Sequence, residues 1–282
     1  MDQVVLDKYN TVTTLSNTTS YPTRLQVGNS IGSIYGFRYK GVYSYSYDNY
    51  DKAASEAATC PVATDAEGNV MTDYKGRPKP MRYYYNSTNY QFQGGDAIYE
   101  DINHDGSIDQ YDIVYLGNCN PKLTGGYGLT LRYAEFSANF FFNFSYGGKI
   151  MNQARRSMEN MYEGFNQCTT VDWRWRKEGD FTDVPRAVYQ EAYNSLPSDR
   201  YVEDGSYLRL KYITLRYALP KKLIKSMGIA SVNAYLTINN LFCLTKYSGV
   251  DPEMSIGNFG LITDNSSTPR SKDWMLGLSV TF

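Results

Sequence analysis

A polar–apolar alternation of period two, held over segments of about ten residues, constrains this chain most. From Phe136 the even positions read Phe136, Ala138, Phe140, Phe142, Phe144 and Tyr146. The odd positions read Ser137, Asn139, Phe141, Asn143 and Ser145. Just upstream, Tyr127, Leu129, Leu131 and Tyr133 alternate with Gly128, Thr130 and Arg132. The Ala134-Glu135 link between the two runs predicts a hairpin. Val232, Ala234, Leu236 and Ile238 alternate with Asn233, Tyr235, Thr237 and Asn239. Trp274, Leu276, Leu278, Val280 and Phe282 do the same near residue 282. In residues 207–219 the phase slips from Leu208, Leu210 and Tyr212 to Ile213, Leu215, Tyr217 and Leu219. A β-bulge near Tyr212 produces such a slip.

A soluble sandwich also shows an apolar stripe of period two. Length separates the two cases. Runs of about 9–11 residues match a tilted membrane-crossing strand, whereas soluble strands peak nearer 5–6. Tyr133, Phe136, Tyr146, Trp274 and Phe282 stand at strand ends, where barrels carry aromatic girdles. The predicted fold is all-β, an antiparallel transmembrane β-barrel. Composition agrees. The 28 Tyr and 23 Gly, with a mean hydropathy of −0.50, are what alternating lipid and water faces average to. No run of about 18 apolar residues predicts a membrane helix. A net charge of −1 and pI near 5.9 leave no footprint for nucleic acid.

The connections are unequal. Short links (134–135, 220–230) alternate with long ones (147–206, 245–271), which is the barrel pattern of short turns and long extracellular loops. One short helix is expected over 149–162, with Ile150, Ala154, Met158, Met161 and Tyr162 on one side. Residues 48–95 are polar and weakly periodic, and 75–80 read as an exposed loop. Met1 is followed by Asp2 and Gln3 rather than a basic and then apolar stretch, so no secretory signal is expected in this chain. Cys60, Cys119, Cys168 and Cys243 lack metal spacing and are read as free thiols, with three disulfide pairings formally open.

The sharpest local motif runs from Asp101 to Asp112. Asp101, Asn103, Asp105, Asp109 and Asp112 fall at loop positions 1, 3, 5, 9 and 12, with Gly106 at 6. This is the calcium-loop spacing of an EF-hand, with Ser107 supplying a carbonyl at 7 and Asp in place of Glu at 12. An Asp at 12 resembles the dockerin version of the loop. The flanking segments are strand-like, so the EF-hand helix pair is not expected. The alternative is a turn whose Asp and Asn side chains cap local N–H groups. His104, the only histidine, is read as a solvated turn residue. No nucleophile elbow, dinucleotide fingerprint or phosphate loop occurs, so no catalytic residue is assigned and the chain is not expected to be an enzyme. Tyr83, Tyr84, Tyr85, Tyr90 and Phe92 are read either as a stacking surface for sugar rings or as strand and loop surface aromatics.

Five segments, in order, resemble the C-terminal part of TonB-dependent outer-membrane transporters of the SusC/RagA type. They are residues 32–43; 95–131, with Gly95-Asp96, the acidic loop, Leu116-Gly117-Asn118 and Asn120-Pro121-Lys122; 201–220; 239–253, with Asn239-Asn240-Leu241-Phe242 and Gly249-Val250-Asp251-Pro252-Glu253; and 277–282. The resemblance implies a portion of a 22-strand-type barrel, about 7–9 C-terminal strands over residues 1–282, with no plug domain. It implies uptake of a glycan or oligopeptide, TonB coupling through the missing N-terminal part, a SusD-like lipoprotein lid and a Gram-negative outer-membrane lipid setting. It also implies an assembly signal in Leu276, Leu278, Val280 and Phe282, read by the barrel assembly machinery. Where the family usually has a small residue, this chain has His104, a strain if the turn there needs positive φ. The competing readings are a soluble or surface calcium-binding, carbohydrate-binding β protein and a small porin of about eight strands.

Overall fold

The computed structural model describes residues 11–14, 21–26, 29–46, 60–85, 88–162, 164, 166–189, 193–224 and 228–282. Residues 1–7 and 48–59, which carried the reading of the start and part of the polar stretch, lie outside them. In chain order the strands are β1 Thr11–Thr14, β2 Thr23–Gln26, β3 Ser33–Gly36, β4 Tyr39–Val42, β5 Arg82–Tyr85, β6 Thr88–Gln91, β7 Ala97–Tyr99, β8 Ser107–Ile108 and β9 Val114–Asn118. They continue as β10 Leu123–Tyr133, β11 Phe136–Tyr146, β12 Lys149–Asn152, β13 Val202–Asp204, β14 Tyr207–Ala218, β15 Ser231–Thr245, β16 Thr263–Asp264 and β17 Asp273–Thr281. No described helix is long and apolar enough to cross a membrane. The chain divides into two compact units.

The first comprises residues 120–150, 204–255 and 266–282. Its scaffold is a five-stranded antiparallel sheet in the order β10-β11-β14-β15-β17. Among the described residues this unit supplies five long strands of the seven to nine expected. The β10–β11 hairpin turns at Ala134-Glu135, Ala134 taking φ +50°. The phase slip is a bulge at Lys211. Phe141 pairs with Tyr212 and Phe142 with Leu210, so Lys211 has no opposite residue on β11. On β15 Leu210 meets Phe242 and Tyr212 meets Asn239, with Asn240 at φ +50° between them. The bulge returns Ile213, Leu215 and Tyr217 to the face of Leu208 and Leu210. It also hid the length of β15 from the alternation, which ends at Asn239 while the strand continues to Thr245.

Aromatic rings cover glycines across the sheet. A Cβ on Gly126 would lie 2.7 Å from Phe141 Cζ, and one on Gly277 2.1 Å from Tyr235 Cζ. A glycine opposite a large ring lets the ring lie flat on the neighbouring backbone. Phe141, the aromatic on the otherwise polar side of β11, also stacks on Tyr212 at 5.6 Å between centroids.

The second unit comprises residues 1–119, 151–203 and 256–265. Residues upstream of β10, with Leu196 from the first long connection, share a core in which Tyr35, Phe37, Tyr43, Phe92, Tyr99 and Ile108 are buried. The aromatic cluster is part of that core. Tyr83 and Phe92 are buried, Tyr90 stacks on Tyr193 at 4.3 Å, and Tyr84 is exposed. Residues 75–77 are an exposed turn, but Pro78 and Pro80 bridge to Thr72 and Val62.

The helix is shorter than expected and buries a different side. Ile150 and Met151 belong to β12, which pairs in parallel with β16 through Met151 and Asn152. The helix spans Gln153–Glu159, capped by the Asn152 side chain accepting from Arg155 N. It buries Arg156 and Glu159 and leaves Met158 exposed. Ion pairs explain this. Glu159 accepts from Arg155 Nε at 2.8 Å and Arg200 Nη2 at 3.1 Å, and Arg156 Nε donates to the Ser195 carbonyl at 2.7 Å. All four cysteines are free thiols.

Candidate functional site: two sheet faces, an ion cluster and an acidic turn

Register sorts the sheet's side chains without exception for the apolar rows. Leu131, Ala138, Leu215, Leu236 and Leu276 form one cross-strand row, and Leu129, Phe140, Ile213, Ile238 and Trp274 the next. Much of this face is open: Tyr133 is 85% exposed, Leu276 83% and Phe282 89%. Leaving such a continuous apolar patch in water is unfavourable, and patches of this extent mark contact with lipid or another partner. Around Ala138 and Ala234 the face dips into a hollow of about 400 Å³ walled by Tyr133, Phe136, Leu215 and Leu276. The predicted assembly residues lie here. Leu276, Leu278 and Val280 share the apolar side of β17, and Phe282 follows its last residue, Thr281.

The opposite face is polar. Thr130, Asn139, Thr214, Thr237 and Met275 form one row, with Thr130 Oγ1 2.8 Å from Asn139 Oδ1 and the Thr214 and Thr237 hydroxyls 3.0 Å apart. Toward the long-connection end this unit holds an ion cluster that the sequence did not reveal. Arg209 Nη2 donates to Asp251 Oδ1, and its Nε lies 3.1 Å from Glu253 Oε2. Glu253 also takes Lys211 Nζ at 2.7 Å and Arg270 Nε at 3.0 Å. Asp251 caps its own turn, accepting from Glu253 N at 2.9 Å, and accepts from Arg270 N at 3.1 Å. Both partners in the Arg209–Asp251 pair are buried, so each depends on the other's charge. The signal available in sequence was the pair of resembling segments, 201–220 and 239–253, which this cluster joins.

In the second unit Asp96 is one of several buried charges. Its Oδ1 accepts from Arg186 Nε at 2.7 Å and Asn194 Nδ2 at 3.1 Å. Its Oδ2 accepts from the Tyr90 hydroxyl at 2.7 Å and Gln93 N at 2.8 Å. Burial, with the Asp96 carboxylate beside it, pushes the Tyr90 phenol well above its usual range.

The acidic loop shows the hydrogen bonds of a self-capped turn. Asp101 accepts from Gly106 N at 2.7 Å, Asn103 from Asp105 N at 3.2 Å and Asp105 from Ser107 N at 2.9 Å. Asp109 accepts from Tyr111 N at 2.7 Å, and Asp112 from Ile102 N and Asp109 N at 2.7 and 2.8 Å. The flanks are β7 and a short 3₁₀ turn at Gln110–Asp112, so the EF-hand helix pair is absent. Among the described residues no three His, Cys, Asp or Glu side chains are grouped as a metal site requires. Burial raises the carboxyls of Asp101, Asp109 and Asp112, the last to about 6, and the neighbouring carboxylates add to each rise. His104 is exposed and takes φ +55°, the left-handed backbone that its departure from a small residue put at issue. It lines a cleft of about 280 Å³ with Lys40, Thr64, Glu100 and Asp101.

No protein-family model matches the chain. Individual relatives do. It is 29% identical over 265 residues to TonB-dependent receptor P3 of Formosa agariphila, covering 92% of this chain and 23% of that protein. It is 34% identical over 194 residues to TonB-dependent receptor P26 of the same organism, 67% and 20% of the two lengths. TonB-dependent receptor SusC of Bacteroides thetaiotaomicron matches at 26% identity over 66% of this chain and 18% of its own. Among solved structures, the RagAB peptide transporter superposes with a TM-score of 0.63 at 22% identity, covering 95% of this chain and 24% of the transporter chain. That likeness establishes the fold as part of a transmembrane barrel. The chain belongs to the SusC/RagA-like TonB-dependent receptors, and it spans about a quarter or less of the length of the relatives it matches.

Proposed function

We propose that this chain forms the closing, C-terminal strands of the barrel of an outer-membrane nutrient importer, in a Gram-negative cell envelope. The observation that carries this is the five-stranded sheet with one open apolar face and one polar face, in a chain whose relatives are receptors rather than enzymes. The full receptor then imports a glycan or an oligopeptide with TonB energy, beneath a SusD-like lipoprotein lid. The names SusC and RagAB peptide transporter among its relatives support that reading. Leu276, Leu278, Val280 and Phe282 act as the signal for the barrel assembly machinery. The open apolar face weighs against the soluble carbohydrate-binding reading, and relatives several times longer weigh against a self-contained small porin. Uptake of labelled oligosaccharides and oligopeptides by cells carrying the full-length receptor tests the proposal. Growth or uptake that depends on both the receptor and TonB is expected; uptake unchanged when either is deleted overturns it.

As a second reading we infer that the Asp101–Asp112 loop takes Ca²⁺. Support comes from the ligand spacing and from buried, mutually repelling carboxyls that a cation would relieve. Binding requires Asp101, Asp105 and Asp112 to draw toward one point, away from part of their present N–H partners. Calorimetry with no Ca²⁺ heat, unchanged in Asp105→Ala, removes this reading.

A further inference from the structure

The apolar face of the sheet is not level. Tyr133, Phe136, Tyr217, Ala234 and Leu278 form the cross-strand row beside the Ala134-Glu135 turn. The next row is Leu131, Ala138, Leu215, Leu236 and Leu276. Ala138 and Ala234 are the smallest side chains of the two rows, and larger ones surround them. The Phe136 and Tyr217 rings lie against each other, 4.6 Å between centroids, and stand up as one wall. The resulting hollow of about 400 Å³ is within the size range of small-ligand sites.

The rim of this hollow toward the short turns is cationic. Strand β14 ends at Ala218, Leu219 N still donates to the Val232 carbonyl at 2.9 Å, and the short helix Lys221–Ile224 follows. Lys221 and Lys222 are exposed and have no hydrogen bond or ion pair among the described residues. Glu135, in the neighbouring turn, pairs with neither. Leu223 beside them is 64% exposed, whereas Ile224 is buried. Lys221 lies four residues past Tyr217, so its Cα is at most about 14 Å from the wall of the hollow.

We propose that this end of the apolar face retains one anionic glycerophospholipid, with an acyl chain in the hollow and the headgroup phosphate at Lys221 and Lys222. The inference rests on the reading above, in which the apolar face meets lipid and the short turns lie on the periplasmic side. An acyl chain bends to fill an irregular apolar depression and carries no backbone N–H or C=O that would need a partner in hydrocarbon. Lysines at the end of a membrane strand reach the headgroup level with their stems along apolar surface. Two ammonium groups without a protein partner there attract an anionic headgroup over a neutral one. The exposed Leu223 beside them suits the same boundary. A second copy inserted in the same orientation brings its own lysines to the same depth, and like charges oppose that contact.

The test uses the full-length receptor purified in detergent. Retained lipid is identified by native mass spectrometry, then exchanged against phosphatidylglycerol and phosphatidylcholine of equal chain length. We expect one phosphatidylglycerol to stay bound per receptor. Ala138→Leu/Ala234→Leu fills the hollow while keeping the face apolar, and should lower retention about tenfold or more, the equivalent of two lost methylene burials. Lys221→Gln/Lys222→Gln should keep a lipid but lose the preference for phosphatidylglycerol. Heat-modifiable mobility confirms a folded barrel in each variant. Retention unchanged by filling the hollow, equal retention of the two lipids by the wild type, or a dimer that filling converts to monomer with no loss of lipid, overturns the proposal. A photo-crosslinking residue at Trp274, on the same face outside the hollow, checks the underlying reading separately. No lipid captured there shows that the face assignment failed, whereas captured lipid with no retained phospholipid shows that the lipid seat alone failed.

Discussion

Arg186 and Asp96, 90 residues apart in sequence, meet with Nε donating to Oδ1 at 2.7 Å, and Asp96 is fully buried. The pair anchors Arg186 and Asn194 to the start of β7, because Asn194 donates to the same carboxylate and accepts from Ala97 N at 2.8 Å. Arg186→Ala leaves a buried carboxylate without its cation. Breaking such a pair costs about 3 kcal/mol or more. Hydrogen exchange should show lost protection at Ala97. Unchanged exchange would mean that Tyr90, Asn194 and Gln93 suffice.

Leu236 and Thr237 are neighbours on β15 that face opposite sides of the sheet. Leu236 stands between Leu215 and Leu276, and Thr237 touches Thr214. In the full receptor Leu236→Arg is expected to cost about 2–4 kcal/mol for a charge on the lipid side of a barrel strand. Thr237→Arg should cost well under half of that. Folded fractions by heat-modifiable mobility in detergent give the comparison, and equal losses would refute the two-face assignment.

Asp112 ties the acidic turn together through Ile102 N and Asp109 N, and burial lifts its carboxyl to about 6. A carboxyl raised in the folded state binds its proton more tightly there than in the unfolded chain. Its contribution is therefore most favourable below about pH 4 and is lost as pH rises through about 6. Protection of the Ile102 and Asp109 amides, corrected for intrinsic exchange, should decline across that window. Asp112→Asn should abolish the decline. Ca²⁺ competes with the proton, so heat released on titrating Ca²⁺ should grow as pH rises past about 6.

Among the described residues, strands β10 and β17 each pair on one side only. Unpaired edges are costly in hydrocarbon. Expressed alone and placed in detergent, this chain should not yield a monodisperse folded monomer by size-exclusion chromatography with light scattering. In the full receptor, deleting Phe282 should lower the amount assembled in the outer membrane, measured by surface labelling. Wild-type levels would show that Leu276, Leu278 and Val280 carry the signal without the terminal ring.

What was legible in advance follows the range of the forces involved. The alternation from Phe136 to Tyr146 named that strand to the residue, and the parity switch after Tyr212 put the bulge one residue from its place at Lys211. Period two is a local consequence of the pleat, so it is written in consecutive residues. The expected helix over 149–162 failed at its start because Met151 and Asn152 pair with Thr263 and Asp264, more than a hundred residues away. Its buried side failed because Arg156 and Glu159 find partners at Ser195 and Arg200. Tyr83 and Phe92 look like surface aromatics by pattern, and burial in a core drawn from residues 35–196 reversed that.

The sequence by itself determined the two-faced strands, the hairpin, the bulge and the family, since each resides in short-range spacing or in ordered motifs. Only the tertiary structure decided that residues 35–113 and Leu196 share one core. Only it joined Arg209 and Lys211 to Asp251 and Glu253. A charge's partner is chosen by proximity in space after the backbone has paired, and no spacing along the chain encodes that distance.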